Sequence, residues 1–530
     1  MTQANGTSRA ASAIFRNADE QEERELKVEG NLPEWLEGVL YRTGPGRYSS
    51  NSSKTNKEGN NPHSFEISHW FDGKALNHRF RISGKEGIVL YRSRFACSDQ
   101  MAKEDREGRC STVTFAQPYD PCERLYTKFK SAFHTLANTQ KPESASDANV
   151  NVVIRYDHQN NVLMTSSDNP TLQKLDPTTL EPIQILSYQD FDPNLAGHLS
   201  GAHPAIIDGT RYNYILKFGP IPTYKIFSLD DNGKCKILHT IYDAPSAYLH
   251  SMAVTETYVV LTIWQADITN LGLGIPLKNN VVENVAKWNP RRKTVHYIIN
   301  RQSGKLVRKI KSDPFFCFHH INAYENDDAS RIVLDLATYE DTTILDAFRM
   351  ELLRNFDVDK LPRTQYRRVV LDVSKSEGSN GSLIHSRPPR EQFGVELPTI
   401  NPLKAWRKAR YCYGTYHTRR AETQNHFIDS VMKLDLDDEA LDQKANTIAD
   451  AQKHKIWFTP NMIPSEAIFV PRPDCVEEDD GVLLIVALNT LTESSELVVL
   501  DAKTMKQIVS AKLDCVFPIG FHGTFAKGID

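Results

Sequence analysis

The chain has 530 residues, 40% of them hydrophobic and 25% charged, with a formal net charge of −4. That balance belongs to a folded globular protein, and without a long basic block it excludes a nucleic-acid reader. Eight cysteines stand singly, none in a C-x-x-C pair, which excludes a zinc ribbon and suits free thiols in a reducing cytoplasm.

The first 24 residues, through Arg24, are polar and carry no apolar signal core. They are expected to form a disordered tail ahead of one large domain over 25–530. No run of about eighteen apolar residues follows that could span a bilayer. Two Ser- and Asn-rich stretches, 49–62 and 139–149, read as surface loops. Between them, Leu125, Tyr126, Phe129 and Phe133 recur at helical spacing, which predicts a helix over 122–133 with one apolar side.

Short β-type runs then dominate. One pattern recurs: a strand, an Asp or Asn, a turn with Thr, Ser or Gly, and a second strand. It occurs at 172–186, 224–238, 296–310 and 496–509, and each copy predicts a hairpin. The recurrence points to an all-β fold, either a β-propeller with radially packed blades or a large sandwich. Residues 346–356 (DAFRMELLRNF) predict one more helix, packed on the β core.

Among 17 histidines, His63, His69, His158, His296 and His454 lie in polar surroundings and read as surface residues. Four others adjoin apolar, strand-like runs: His203 in SGAHPAI, His250 in SAYLHSMAVT, His319 in FFCFHHINAYE and His522 in PIGFHGTF. Each alone reads as an ordinary core histidine, and their spacing forms no local metal signature. A propeller, however, brings strand ends from different blades to one axial point. Four imidazoles there leave positions open on a six-coordinate ion, which suits Fe²⁺ better than structural zinc, although affinity alone would favour Cu²⁺. Ligand histidines usually donate their second N–H to a carboxylate. Asp168 in MTSSDNPT, Glu396 in FGVELPTIN and Glu466 in IPSEAIFV are the candidate acids.

Seven motifs stand in fixed order along the chain: LPEWLEGVLYRTGPGRY (32–48), HWFDGKALNHRFRI (69–82), AHP (202–204), YLHSMAVTETYVV (248–260), FHHINAYE (318–325), SEAIFVPRP with EEDDG (465–481) and FHGTF (521–525). Together they resemble the carotenoid cleavage oxygenase family, and within it most nearly the fungal torulene and apocarotenoid dioxygenases. The resemblance implies a seven-bladed β-propeller with a cap of helices and loops over an axial iron site. It implies one Fe²⁺ per chain on His203, His250, His319 and His522, oriented by Asp168, Glu396 and Glu466. The first of those acids is normally Glu; Asp is one methylene shorter, so its bond to a ligand histidine must be reached by a backbone shift or a water, or be lost. Ser167 stands where stilbene-cleaving relatives carry Lys, which favours an apolar polyene over a phenol.

The activity so implied is cleavage of one C=C bond of a carotenoid or apocarotenoid by O₂, giving two carbonyl (aldehyde) products. Competing readings are ester-directed retinoid isomerase chemistry on the same iron, and a metal-free lipid-binding propeller. No obligate protein partner is expected. The location expected is cytoplasmic with peripheral contact to membranes or lipid bodies. Leu125, Phe129 and Phe133 on the predicted helix, and Leu271, Leu273 and Ile275 in ITNLGLGIPL, would form the apolar lip where substrate enters.

Overall fold

The computed structural model describes residues 14–50, 65–108, 110, 113–117, 142–278, 280–355, 357–374, 383–386, 393–423, 426–438 and 454–529. They form a β-propeller of seven antiparallel sheets. From the axis outward, the first blade is Glu37–Arg47, Lys74–Ser83 and Ile88–Phe95, with the C-terminal strand His522–Lys527 added on the inside and Gln21–Glu25 on the outside. The second to sixth blades follow in chain order, beginning at Val153, Leu199, Ala253, Phe316 and Glu396. The seventh runs from Met462 to Lys512 and takes Lys27–Gly30 as its outer strand. The two chain ends therefore clasp the ring: neighbouring N-terminal strands cover the outer edges of blades one and seven, while the last strand fills the inner edge of blade one. Edges otherwise open to pairing are closed in this way.

The four predicted hairpins are all present as neighbouring outer strands of a blade, the last of them covered on its outside by Lys27–Gly30. They are Thr171–Leu175 with Pro182–Ser187, Thr223–Leu229 with Cys235–Ile241, Thr294–Asn300 with Leu306–Ser312, and Ser494–Asp501 with Lys506–Lys512. Central strands are apolar on both faces because a blade lies on either side. In Gly481–Asn489, Val482, Leu484 and Val486 pack with Leu40 and Phe80 of blade one. The alternate residues Leu483, Ile485 and Ala487 pack with Tyr413 and Val431 of blade six. A period of two thus serves both neighbours at once.

Three expectations need correction. The stretch up to Arg24 is not wholly without structure: Ile14 and Phe15 are buried, and Gln21–Glu25 pairs with Ile88–Phe95. This edge strand carries no apolar pattern because ion pairs hold it, Glu23 to Arg79 at 2.8 Å and Glu22 to Arg94 at 3.7 Å. Residues 1–13 lie outside the described residues, as does 122–133 with Leu125, Phe129 and Phe133.

The predicted helix at 346–356 is two short helices, Thr343–Ala347 and Met350–Arg354. At the break the Trp70 amide donates to the Phe348 carbonyl and the Met350 amide to the Ser68 carbonyl, so backbone pairing with 68–70 replaces the helical bonds. Finally, His69 and His296 are fully buried rather than at the surface. His69 donates from Nε2 to the Leu345 carbonyl at 2.8 Å and accepts the Phe71 amide on Nδ1. His296 lies 3.0 Å from both Thr262 and Ser312 hydroxyls. Partners remote in sequence, the Leu345 carbonyl for His69 and the Thr262 and Ser312 hydroxyls for His296, let these rings be buried.

Candidate metal centre and its cavity

Several inner strands are interrupted or bulged where they meet the axis, and His203, His319, Glu396 and Glu466 sit at those breaks. In blade three Leu199–Ser200 and Ala205–Ile207 both pair with Thr210–Lys217, and the segment between them carries His203. In blade seven Met462–Pro464 and Ile468–Pro471 both pair with Gly481–Asn489, and the segment between them carries Glu466. The strand Phe316–Glu325 shifts register on either side of the His319–His320 pair. Glu396 opens its strand at a further irregularity. Such defects re-aim a side chain that a regular ladder would direct at a neighbouring blade.

His203, His250, His319 and His522 come together, each offering one nitrogen, with these atoms all within 4.8 Å of one another. Nε2 of His319 and Nε2 of His522 are 3.2 Å apart. Nδ1 of three rings is engaged by a carboxylate: His250 donates to Asp168 at 2.8 Å, His319 to Glu396 at 2.7 Å and His522 to Glu466 at 2.7 Å. That fixes the tautomer and turns Nε2 toward the axis. Histidines come from blades one, three, four and five and carboxylates from two, six and seven, so each blade supplies one residue. His320, next to His319, points away: its Nδ1 lies 2.8 Å from the Ser251 hydroxyl, and its ring packs near Trp264.

Burial, reinforced by the other three rings, holds His203 well below the usual histidine range. Burial likewise pushes His522 down to about 4, against the pull of Glu466. Burial opposes the charge on Glu396, yet His319, the Leu397 amide and the Tyr339 hydroxyl together hold its carboxyl below the usual range. Neutral imidazoles with converging lone pairs form a donor set for a borderline divalent ion. Nε2 of His203 is buried without a hydrogen-bond partner among the described residues, as fits a nitrogen reserved for a metal.

The shorter Asp168 makes its bond directly. Its turn is tied to the Leu199–Ser200 strand, since the Ser200 amide donates to the Asp168 carbonyl and the Ser200 hydroxyl to the Asn169 carbonyl. Tyr248 donates its hydroxyl to the second carboxylate oxygen at 3.0 Å. Burial and the Asp168 charge raise Tyr248 well above the usual phenol range, so this donor keeps its proton.

Over the histidines lies a cavity of about 230 Å³ walled by aromatic rings, among them Trp70, Phe71, Phe318, Phe348, Phe427 and Phe521. It runs from His250, His319 and His522 to a polar end at Arg363, His417 and Arg419. Asp429 pins the wall at 417–423, accepting the Thr418 amide at 2.8 Å and the Thr423 hydroxyl at 2.7 Å. Sequence reasoning did not single out these rings; Phe318 and Phe521, each directly before a candidate ligand, were the available signal.

The proposed lip divides. Leu271 and Leu273 are 45% and 50% exposed, but Ile275 is buried and belongs to the core. Of the basic cluster beyond it, Arg292 pairs with Asp267 and Lys293 with Asp313.

A family model described as retinal pigment epithelial membrane protein matches residues 14–527. The chain is 31% identical to a carotenoid dioxygenase of Neurospora crassa, over 94% of this chain and 88% of the relative. It is 29% identical to a torulene dioxygenase of Gibberella fujikuroi, over 94% and 90%. It is also 29% identical to the β,β-carotene 15,15′-dioxygenase of Gallus gallus, over 97% of each chain. Among solved structures, a mutant of Synechocystis apocarotenoid oxygenase superposes with a TM-score of 0.76 at 22% identity, over 98% of this chain and 99% of that one.

Proposed function

Since the chain belongs to the retinal pigment epithelial membrane protein family, which comprises the carotenoid cleavage oxygenases, we propose that it is a non-haem Fe²⁺ dioxygenase that cleaves one C=C bond of a carotenoid or apocarotenoid into two carbonyl products. One observation carries the reading. Four imidazoles converge on one point, three of them lining the end of an aromatic-walled cavity, and each of the three carboxylates beside them holds one ring.

His203, His250, His319 and His522 would hold the ion, and Fe²⁺ so held supplies the redox chemistry that activates O₂. The protein's share is positional. Asp168, Glu396 and Glu466 keep three ligand rings in the metal-binding tautomer. Phe318 and Phe521, beside His319 and His522, offer apolar faces along which a flat polyene can lie and exclude water from the reacting bond. No side chain is required to carry a proton, because O₂ adds across the double bond and both of its oxygens end in the products.

The exposed Leu271 and Leu273 support peripheral contact with a membrane or lipid body, where such a substrate dissolves. The seven cysteines among the described residues are all free, which suits the cytoplasm. No helix among the described residues is long and apolar enough to cross a membrane.

Incubation of iron-loaded protein with an apocarotenal under O₂, and separately with a retinyl ester under argon, tests the assignment. Two carbonyl fragments from the polyene, identified by mass spectrometry, are expected. Turnover of the ester alone would overturn it in favour of isomerase chemistry.

A further inference from the structure

Arg42 lies in the strand Glu37–Arg47 and is 1% exposed. Its Nη1 donates to Oε2 of Glu466 at 2.9 Å and to the Glu466 carbonyl at 3.1 Å, joining blades one and seven. Oε1 of the same carboxylate accepts Nδ1–H of His522, and Oε2 also accepts the Gly523 amide at 2.8 Å. Gly523 permits this approach: a Cβ there would fall 2.5 Å from Cδ of Arg42. A fixed positive charge therefore stands one carboxylate away from a candidate ligand.

The other two carboxylates have no such partner. Asp168 divides its oxygens between His250 and the Tyr248 hydroxyl, while Glu396 accepts from His319 and the Leu397 amide. Neither forms an ion pair with Lys or Arg among the described residues. His203 has no carboxylate partner among the described residues; Arg155 stands nearby and donates to the carbonyl of Pro204 at 3.4 Å. Two ligands are thus made electron-rich by an uncompensated anion and two are not. In a buried site the charges of these carboxylates act on the axis with little screening. Three anions would favour the more highly charged ion there, and a cation on one of them opposes that bias.

The geometry points to Arg42 as a charge-tuning residue that weakens the preference of the four-histidine site for a trivalent over a divalent ion and so favours iron as Fe²⁺. The inference rests on the iron reading above. Arg42 touches neither the axis nor the cavity; it is a positioning residue that acts through Glu466. A clamp between two blades would also be broken by its loss, but a clamp alone would not set the charge preference of the ion.

The test is a redox titration of the iron-loaded full chain, with the Fe³⁺/Fe²⁺ midpoint read from the ferric electron paramagnetic resonance signal. Arg42→Gln keeps a donor to Glu466 without the charge. It is expected to raise the Fe³⁺-over-Fe²⁺ preference about tenfold, a fall of about 59 mV for one electron, and Arg42→Lys is expected to restore most of it. An unchanged midpoint, or a fall that Arg42→Lys does not reverse, overturns the proposal. Should Arg42→Gln not fold, Glu466→Gln removes the paired anion while keeping an acceptor for His522. Its midpoint is expected to rise, and the absence of a rise overturns the proposal equally. Unmodified protein that retains no iron would instead sink the iron reading, so the two failures are distinct.

Discussion

Asp168 and His250 are joined by a direct 2.8 Å hydrogen bond that spans from blade two to blade four. A carboxylate one methylene shorter than the family's usual Glu makes this contact because its turn is tied to the Leu199–Ser200 strand and Tyr248 steadies its other oxygen. Losing such a contact typically weakens metal affinity about 10- to 100-fold. Asp168→Ala is expected to fall in that range and Tyr248→Phe to lose less, while Asp168→Glu brings no gain. Iron remaining after a timed chelator challenge measures all three. Equal retention in Asp168→Ala and the unmodified protein would remove Asp168 from the site.

The ligand assignment separates two adjacent residues. Replacing His203, His250, His319 or His522 by Ala is expected to abolish cleavage and lower iron to a small fraction. His320→Ala gives up its contact with Ser251, worth about 1 kcal/mol, but is expected to keep the metal. Iron analysis of the His319 and His320 variants decides the matter, and the reverse pattern would mean that the wrong member of the pair faces the axis.

Acid sensitivity follows from buried histidines remote from the metal centre. Burial pushes His69 and His296 down to about 3 and holds His78 well below the usual range. Imidazoles of the unfolded chain titrate near about 6.5, so the unfolded state takes protons that the folded state refuses. The stability concerned is fully present above pH ~6.5 and is lost as pH falls toward the folded values, about 2 kcal/mol for each ring by pH ~5. Asp72, raised to about 6 by burial against the amides of Ala116 and Phe115, acts oppositely in the same window, but it is one group against three. The thermal midpoint is expected to be level above pH ~7 and to drop between about pH 6.5 and 5. Identical midpoints at pH 7.5 and 5 would contradict this.

What could be read in advance was local or motif-borne. The four hairpins carried turn chemistry and alternation within one short window, and all four formed. A four-histidine cluster was inferable because its members adjoin apolar runs, although their convergence depends on blades far apart in sequence. The count of blades came from the family resemblance, since no single hairpin records how many neighbours it has. Gln21–Glu25 was missed because an edge strand held by ion pairs shows no apolar period. Arg42 and Tyr248 were missed because their partners, Glu466 and Asp168, lie 424 and 80 residues away in sequence. Ile275 was assigned to the surface with Leu273, two residues earlier, but Gly274 begins a helical turn there and the two side chains leave in different directions.

A water-insoluble polyene needs an apolar point of entry, and Leu271 and Leu273 are exposed to offer one. Both are large, apolar and about half exposed, and Leu271 adopts a left-handed backbone (φ 56°) uncommon for a bulky residue. With Ile275 buried, they alone remain of the described residues proposed for the lip. Electrostatic attraction to anionic headgroups is weakened here, because Arg292 and Lys293 are engaged by Asp267 and Asp313. Any membrane contact through this loop should therefore depend on apolar insertion and tolerate salt. Leu271→Asn with Leu273→Ser is expected to reduce liposome co-sedimentation several-fold and to slow turnover of membrane-dispersed carotenoid, while iron content and turnover of detergent-solubilised substrate stay unchanged. Asn suits the left-handed backbone at 271, so a folding defect is not expected there. Liposome binding that falls with salt but not with these substitutions would place the contact elsewhere on the molecule.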